Sequence, residues 1–340
     1  MLTLPRFQWV KPRTLGEIRA FMASHAHEAM YVAGGTDVVP NMKHRLHEPR
    51  YVVWIGGVEE LHQSEDGADG LHLGPLTTLS EIATHPSVLR DFPSLAFAAS
   101  QVASPQIRNM GTLGGNLCLD TRCTYYNETH FWRASLGYCL KKSGTVCHVV
   151  PTGRKCVAAH SSDVAPVLIS LGATVECSSR SGRQTIPVED FFVADGIHNN
   201  VLRPGDLVTK ITIPARSRGL KAAYKKLRPR GAIDFPMLSV AFAGSISSIG
   251  VDYARLVISA LAAKPRIISG VNALLHDAAL SEAAYEEVAL AAYKQCHPMI
   301  NIPADPEWRR EMVPVLVRRV LREALGTASP ADELYDDIAE

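Results

Sequence analysis

Seven cysteines are spread unevenly along the 340 residues of the chain. Five of them fall within one 39-residue stretch, namely Cys118, Cys123, Cys139, Cys147 and Cys156. Thiolates bind soft metal ions and iron–sulfur clusters, and four thiolates hold a [4Fe–4S] cluster. Within this stretch, 15, 7 and 8 residues separate Cys123, Cys139, Cys147 and Cys156 from one another in turn. These intervals match neither the ferredoxin pattern nor the zinc-ribbon pattern. The spacing therefore predicts a metal site without naming the metal.

Two glycine-rich turns form the second feature that could do chemistry. Residues Ala33–Asp37 read AGGTD after a short apolar run, and residues Thr112–Asn116 read TLGGN. Adjacent glycines let a backbone approach a bulky anion, so that its amide groups can line a nest for a diphosphate. Neither turn carries the spacing of a Rossmann or P-loop motif. Each turn alone is typical of an ordinary tight turn, but the two together favour a dinucleotide site.

Composition and charge exclude several other functions. The 35 Lys and Arg residues nearly cancel the 34 Asp and Glu residues, so no nucleic-acid or membrane partner is expected. The N-terminal residues show no secretory signal, and no uncharged run approaches the roughly 18 apolar residues of a membrane-spanning helix. We expect a cytoplasmic protein whose reduced cysteines are buried fillers or metal ligands.

The elements that must position these residues are visible as local patterns. T-x-x-E sequences at Thr14–Glu17 and Thr78–Glu81 predict capped helix starts. The predicted strands of this half are 30–33, 51–55 and 71–76. A helix is expected over 94–103, whereas the glycine content of 106–116 predicts irregular structure. The aromatic and basic cysteine stretch that follows has little periodicity and is interpreted as an insertion.

Regular patterning resumes near Val164. A helix or strand is expected at 167–171, and a linker at 214–219. The predicted strands are 173–177, 207–213, 224–227, 236–246 and 255–263. Two helices should close the chain, the second capped by Asp305 with Pro306 at its first position. Its predicted apolar face consists of Trp308, Met312, Leu316 and Val320.

In combination these motifs resemble a known family. The segments that carry the likeness are Tyr31–Val38, Gln106–Leu117, Asp163–Ala173, Lys226–Asp234 and Trp308–Val320. In that order they look like the FAD-binding subunit of molybdenum hydroxylases, a group that includes xanthine dehydrogenase and carbon monoxide dehydrogenase. Trp308 replaces a tyrosine of the family pattern, and the likeness covers nearly the whole chain.

The resemblance implies a fold and three domains. The expected class is α+β, with a two-subdomain FAD-binding domain and a C-terminal domain made of an antiparallel sheet with helices. The implied limits are 1–56 and 57–217 for the two FAD-binding subdomains, 218–330 for the C-terminal domain, and 331–340 for a tail. The second subdomain would carry the insertion at about 119–160.

The resemblance also implies roles for single residues. The first turn would wrap the FAD diphosphate and ribose through Val32, Ala33, Gly34, Gly35, Thr36 and Asp37. The second turn would form another wall through Thr112, Gly114, Gly115 and Asn116. Asp163 would hydrogen-bond the cofactor, and Lys226 would lie near the flavin. Without the resemblance, Asp163 is interpreted as a helix cap and Lys226 as a solvated strand lysine.

The cysteine insertion departs from most of the family and resembles the β subunits of 4-hydroxybenzoyl-CoA reductases. That branch carries a [4Fe–4S] cluster at this position. The likeness implies four ligands, namely Cys123, Cys139, Cys147 and Cys156. Cys118 is left over as a buried thiol, because it belongs to the glycine turn of relatives without the insertion. His148 is expected beside the cluster or at the surface rather than as a ligand.

The reductase branch implies inward electron flow. Ferredoxin, a low-potential donor, would supply electrons that pass through the [4Fe–4S] cluster and FAD toward molybdenum, where an aromatic acyl-CoA loses its phenolic hydroxyl as water. The implied partners are a molybdopterin-binding large subunit and a small subunit with two [2Fe–2S] clusters, in a dimer of heterotrimers. Six basic residues could steer an acidic ferredoxin: Arg122, Arg133, Lys141, Lys142, Arg154 and Lys155.

Two alternatives stay open at this point. The chain could be an ordinary FAD subunit of a xanthine, aldehyde or carbon monoxide dehydrogenase that passes electrons outward to NAD⁺ or another acceptor. It could also be a non-catalytic scaffold in which the cysteines bind zinc. Iron, sulfide and flavin analysis separates the three readings. In none of them does this chain hold a catalytic residue of its own.

Overall fold

A small parallel sheet begins the chain. The computed structural model describes residues 2–247, 250–276 and 280–326, so the predicted tail at 331–340 lies outside the described residues. The sheet has the order β1-β3-β2 and its strands are β1 (Gln8–Val10), β2 (Ala29–Val32) and β3 (Tyr51–Trp54). The helices beside it are α1 (Leu15–His25) and α2 (Val38–Lys43). Thr14 caps α1 by accepting the Glu17 amide at 3.1 Å, which confirms the predicted helix start.

The second unit is a five-stranded sheet of order β4-β5-β8-β6-β7 whose strands come from both sides of the cysteine insertion. Its strands are β4 (Glu65–Asp66), β5 (Gly70–Leu73), β6 (Thr174–Ser179), β7 (Gly182–Pro187) and β8 (Leu207–Pro214). Its helices are α3 (Leu79–Thr84), α4 (Pro86–Asp91), α5 (Pro93–Ser100), α6 (Pro105–Arg108), α7 (Leu113–Leu117), α8 (His130–Ser135), α9 (Val164–Ser170) and α10 (Val188–Phe191). Short 3₁₀ turns lie at Glu59–Leu61 and Ala215–Ser217.

The glycine-rich segment 106–116 is helical in part, so the prediction of irregular structure was wrong there. Ser104 and Thr112 each cap a short helix by accepting an amide three residues later, at 3.4 and 3.1 Å. Pro105 stands at the first position of α6, where its missing amide hydrogen costs nothing. Hydroxyl caps and a leading proline therefore outweigh the low helix propensity of glycine over one turn.

The C-terminal domain is an antiparallel sheet of order β12-β11-β10-β9 covered by helices. Its strands are β9 (Lys221–Leu227), β10 (Leu238–Ser247), β11 (Gly250–Ser259) and β12 (Arg266–Ile267). Its helices are α11 (Val271–Leu275), α12 (Glu282–Gln295) and α13 (Pro306–Leu325). The predicted α+β class is confirmed. The described residues include no helix that is long and apolar enough to cross a membrane.

Both faces of the C-terminal sheet are buried, because alternate residues of a strand point to opposite faces. Val240 and Phe242 of β10 join the core beneath the terminal helices. Ala241 and Ala243 on the same strand join the core that contains α5 and α9. The sheet therefore lies between the second unit and its own helices.

The buried face of α13 is displaced by about one residue from the prediction. Leu316 and Val320 are buried as expected, but Trp308 is 44% exposed and its neighbour Arg309 is fully buried. The Arg309 guanidinium donates to the backbone carbonyl oxygens of Met299 and Met237. These bonds give both terminal nitrogens of a buried charged group an acceptor inside the core, which an apolar pattern does not reveal.

Asp163 and Lys226 tie the second unit to the C-terminal sheet. The Asp163 carboxylate accepts from Lys226 Nζ at 2.9 Å and from the Tyr224 hydroxyl at 2.6 Å. Lys226 also donates to the Gln101 carbonyl oxygen at 3.0 Å. Only 3% of the Asp163 side chain and 2% of the Lys226 side chain are exposed. Burial raises the pKa of Asp163 and lowers the pKa of Lys226, and the opposite charge of each opposes the shift of the other.

Removing one member of this pair should cost more stability than removing both. Lys226→Met leaves the Asp163 carboxylate buried without its cation, which should lower the free energy of unfolding by about 3–5 kcal/mol. The double variant Lys226→Met/Asp163→Asn removes the uncompensated charge and should regain more than about 1 kcal/mol. Urea unfolding followed by tryptophan fluorescence measures both changes.

Lys225 provides a matched control on the same strand. It pairs with Glu323 at 2.9 Å in a partly exposed position, so Lys225→Met should cost less than about 1 kcal/mol. A double variant that is no more stable than Lys226→Met would show that the two buried charges are not coupled.

Candidate functional site

The two glycine turns meet backbone to backbone. The first turn follows β2 and leads into α2, and Gly35 within it has a positive φ of 73°. A Cβ atom on Gly34 would collide with the carbonyl oxygen of Met110, at the edge of the second turn. Only glycine allows this approach. The structure therefore brings together the two segments that the sequence analysis assigned to one dinucleotide site.

The two turns differ in the state of their amides. Within the described part of the chain, the structure gives the amides of Gly34, Gly35 and Thr36 no acceptor. In the second turn, the Gly114 amide donates to the Pro75 carbonyl at 2.8 Å and the Gly115 amide donates to the Thr112 hydroxyl at 3.1 Å. The first turn thus has backbone amides available for a diphosphate, whereas the amides of Gly114 and Gly115 make hydrogen bonds within the protein that stabilise the fold. The expectation that both turns offer amides is corrected in this respect.

The remaining predicted cofactor residues in this region have internal partners. Asn116 Oδ1 accepts from the Ser162 hydroxyl at 2.7 Å and from the Val164 amide at 3.4 Å. Asp163 stands at the N-cap of α9 but makes no capping bond, and the Ser162 hydroxyl accepts the Ala165 amide at 3.1 Å instead. Neither the capping interpretation of Asp163 nor the solvated interpretation of Lys226 is correct. The cofactor roles of these residues stay predictions.

An ion pair connects the first glycine turn to the cysteine insertion. The Arg122 guanidinium pairs with the Asp37 carboxylate and donates to Asn41 Oδ1 at 3.1 Å. It also lies 5.0 Å from the centre of the Phe235 ring, on the loop after β9. Arg122 directly precedes Cys123 in the chain. The sequence implies a cofactor role for Asp37 and a surface position for Arg122, and no local pattern signals that the two residues pair.

The four predicted ligand cysteines converge on one small cavity. Cys123, Cys139, Cys147 and Cys156 are all buried as free thiols and all line it. Tyr125, Tyr126, Lys141 and His148 are among the other lining residues. Residues far apart in sequence are thus collected at one place, as the implied ligand set requires.

Backbone amides point at two of these four sulfur atoms. The Val150 amide donates to Cys147 Sγ at 3.5 Å and the Ala158 amide donates to Cys156 Sγ at 3.4 Å. The Tyr126 amide donates to the Cys123 carbonyl oxygen at 3.0 Å. Burial, with a smaller contribution from the neighbouring thiols, raises the pKa of Cys123 to about 11, and the backbone at Tyr125 and Tyr126 opposes that rise. The site is apolar but carries donors that stabilise sulfur once it is ionised by a metal.

Cys118 lies apart from this cavity, as the sequence analysis expected. It packs against the main core near Cys177, and burial raises the pKa of its thiol to about 12. In the described residues no three His, Cys, Asp or Glu side chains are arranged to hold a single metal ion. His148 Nε2 lies 2.6 Å from the Tyr138 carbonyl oxygen, so that ring nitrogen already has a partner.

Lys141 is part of the interior, and its predicted role in steering a partner is wrong. Its ammonium pairs with Asp120 at 2.6 Å and donates to the Thr121 hydroxyl and the Gly196 carbonyl at 2.5 and 2.6 Å. Only 5% of its side chain is exposed. Burial opposes ionisation of Asp120, but His47 and Lys141 outweigh it and hold the pKa of that carboxyl at about 2.

Two other members of the basic set are also unavailable to a partner. Arg133 is buried and donates to the His44 and Glu128 carbonyl oxygens, and Arg122 is committed to Asp37. Arg154 and Lys155 are exposed and Lys142 is partly exposed. Three of the six basic residues predicted to face a partner therefore anchor the insertion instead. Their acceptors lie on α2, at Asp37 and in the adjacent loops.

Two family matches cover most of the chain. Residues 5–216 match the FAD binding domain in molybdopterin dehydrogenase. Residues 222–324 match the CO dehydrogenase flavoprotein C-terminal domain. The boundary between the matches falls between β8 and β9, where the five-stranded sheet ends and the C-terminal sheet begins.

Individual relatives agree with these matches. The carbon monoxide dehydrogenase medium chain of Hydrogenophaga pseudoflava is 25% identical over 320 residues, covering 94% of this chain and 97% of that one. The aldehyde oxidoreductase FAD-binding subunit of Escherichia coli (strain K12) is 30% identical over 289 residues, covering 81% and 87%. The solved carbon monoxide dehydrogenase from Hydrogenophaga pseudoflava, which lacks the Mo-pyranopterin moiety, has the same fold with a TM-score of 0.78 at 24% identity and coverage of 96% and 100%. The chain therefore belongs to the FAD-binding medium subunits of the molybdenum hydroxylase family, of the carbon monoxide dehydrogenase type, and is a subunit of an oxidoreductase.

Proposed function

We propose that this FAD subunit also holds a [4Fe–4S] cluster and carries electrons from a low-potential donor toward a molybdenum site. The observation that carries the proposal is the convergence of four buried cysteine thiols beside the FAD-binding unit. Iron–sulfur clusters supply one-electron transfer, and flavin converts between one-electron and two-electron carriers. The chain would be an electron-transfer subunit of a complex like the 4-hydroxybenzoyl-CoA reductases.

The FAD would be held at the contact between the two glycine turns. The free amides of Gly34, Gly35 and Thr36 suit a diphosphate, and the glycine at position 34 keeps the second turn close. Thr112, Gly114, Gly115 and Asn116 shape the opposite wall, and Asp163 and Lys226 lie in the layer beneath it. Their internal bonds support a positioning role toward the cofactor rather than a direct contact through the amides of the second turn.

Four cysteine thiols match the ligand set of a four-iron cluster. A zinc ion draws its sulfur ligands to about 2.3 Å from one centre. A four-iron cluster separates its thiolates further, because each sulfur binds a different iron. The buried thiols of Cys123, Cys139, Cys147 and Cys156 line one cavity, and they number one for each iron of such a cluster. Amide bonds to their sulfurs are a known means of tuning such clusters.

Arg122 supports placing both cofactors in one electron path. It leads directly into Cys123 and its guanidinium pairs with Asp37 at the end of the first glycine turn. The proposed cluster and the proposed diphosphate site are thus joined by one side chain and one peptide bond. The insertion is built onto the FAD site and is not a detached loop.

The proposed complex has the partners of the reductase branch. They are a molybdopterin-binding large subunit, a small subunit with two [2Fe–2S] clusters, and ferredoxin as donor, in a dimer of heterotrimers. The reaction would be reductive dehydroxylation of an aromatic acyl-CoA in an anaerobic cytoplasm.

The domain limits 1–56, 57–217 and 218–330 are part of the same proposal, and three sheets with strands at 8–54, 65–214 and 221–267 support them.

A second candidate is an FAD subunit that passes electrons outward from an oxidised substrate to NAD⁺ or another acceptor. The names of the relatives favour it, since they include a carbon monoxide dehydrogenase and an aldehyde oxidoreductase. On that reading the cysteine insertion has no redox role. Iron and acid-labile sulfide analysis of the isolated, anaerobically purified subunit decides between the two candidates.

Replacing any one of the four cavity cysteines should remove the cluster. For Cys147→Ser, anaerobically purified protein should lose the roughly four irons and four sulfides that a [4Fe–4S] cluster contributes to this chain, while its flavin stays. Iron, acid-labile sulfide and flavin assays on the isolated subunit measure this. Cys118→Ser is the matched control and should keep full iron, because Cys118 lies outside the cavity. Wild-type protein that contains flavin and no iron, or zinc in place of iron, would contradict the proposal.

Substituting Gly34 should release FAD. In Gly34→Ala the added methyl group collides with the Met110 carbonyl, so the two turns must separate. We expect at least about a tenfold rise in the FAD dissociation constant, measured by flavin fluorescence. Gly16→Ala on α1 is the control, because its nearest new contact is 3.6 Å away. Circular dichroism separates lost binding from lost folding, and a folded Gly34→Ala variant with wild-type FAD affinity would rule out this placement.

A further inference from the structure

The cysteine insertion presents an exposed apolar face. Phe131 is 83% exposed and Trp132 is 36% exposed, both on the short helix α8. Leu136 follows the helix and is 43% exposed, and Val146 precedes the ligand Cys147 and is 46% exposed. Single exposed apolar residues are ordinary, but four within one insertion require an explanation.

Hydrogen bonds of a buried arginine hold helix α8 in this orientation. Arg133 is its one fully buried residue and donates to the His44 carbonyl at 2.5 Å and to the Glu128 carbonyl at 3.1 Å. The bond to His44 fixes α8 to the end of α2, and the bond to Glu128 ties the helix to the turn that precedes it. The aromatic side of α8 is therefore turned outward by internal bonds of the protein, and the aromatic residues contribute little to its folding.

The exposed face adjoins the cysteine cavity through one aromatic residue. Tyr125 lines that cavity, and its ring centre lies 6.3 Å from the ring centre of Trp132 and 5.0 Å from that of His148. Trp132 thus lies one ring away from the proposed cluster. A redox partner that covers Trp132 would come close to the cysteines without any rearrangement of the chain.

The insertion that carries this face is rich in basic residues. Between residues 121 and 160 the sequence has six Lys and Arg residues and one acidic residue, Glu128. Arg154 and Lys155 are exposed and Lys142 is partly exposed, whereas the other three cations are used internally. An apolar centre with a basic rim suits a partner that has an acidic rim.

We infer that Phe131, Trp132, Leu136 and Val146, with the rim residues Lys142, Arg154 and Lys155, form the docking face for a small acidic electron-transfer protein. The inference rests on the proposed function and names the surface through which the donor meets the cluster. Aromatic residues at the centre supply affinity, and the basic rim accelerates encounter at low salt. The residues proposed to meet the donor therefore lie on α8 and in the 142–155 loop, and not around Lys141, which is buried.

Stopped-flow reduction of the anaerobic holo-complex tests the docking face. The electron donors are a reduced bacterial-type ferredoxin with two [4Fe–4S] clusters and, in parallel, dithionite. The variants are Phe131→Ser/Trp132→Ser and Lys142→Glu/Lys155→Glu, with iron and flavin content determined for each. For both variants the second-order rate with ferredoxin should fall at least about tenfold, and the charge variant should also lose its dependence on ionic strength. The rate with dithionite should not change.

Matched substitutions elsewhere on the surface serve as controls. Leu89→Ser, at a residue that is 51% exposed on α4, and Lys11→Glu, at an exposed N-terminal lysine, should react with ferredoxin like the wild type. If the double variant fails to assemble, Phe131→Ser alone gives the same comparison, because that ring is almost fully exposed.

The outcomes separate this inference from the proposed function. Iron-loaded variants that react with ferredoxin at the wild-type rate would overturn the docking face and leave the cluster in place. A wild-type complex that dithionite reduces and ferredoxin does not would overturn the acidic donor. A wild-type complex without iron in this chain would overturn the proposed function, and the docking face with it.

Discussion

Asp163 and Lys226 bury a carboxylate and an ammonium group where the second unit meets the C-terminal sheet. Neither charge is tolerable there alone, so the start of α9 and strand β9 must keep their relative positions. The same turn, through Ser162 and Val164, holds Asn116 and with it the second glycine turn. The wall of the proposed FAD site is therefore positioned by a charge pair that lies behind it.

The cysteine insertion is anchored by the same kind of interaction. Lys141 with Asp120 and Arg122 with Asp37 form two ion pairs whose side chains are largely buried. A long segment with one short helix has few backbone bonds of its own to define its path. Ion pairs and carbonyl acceptors replace them, and they bring four distant cysteines to one cavity. As a result, three of the six Lys and Arg side chains of the insertion are paired inside the protein and do not face solvent. The aromatic side of α8 is then the prominent exposed feature of the insertion.

Much of the fold follows from local patterns that need no partner elsewhere. The capping threonines at 14 and 78 mark helix starts as predicted, since a hydroxyl cap involves only residues three positions apart. The strands β9 to β11 are recognisable although both faces of that sheet are buried, because their β-branched and aromatic residues favour extended backbone. The helices α6 and α7 were not predicted because the glycine content of this segment indicates irregular structure. A hydroxyl cap is nevertheless enough to stabilise one turn of helix there. The face of α13 was misplaced because a buried arginine, Arg309, occupies the core side.

The sequence by itself determined the chemical inventory: glycines where backbone must meet backbone, five cysteines in one stretch, and ordered motifs that identify the FAD subunit family. Only the tertiary structure decided which of those groups meet. It separated Cys118 from the other four, paired Asp37 with Arg122, and buried Lys141. The reason is physical: residue type and spacing limit what a side chain can bind, whereas burial and partnership depend on contacts between segments that are distant in the chain.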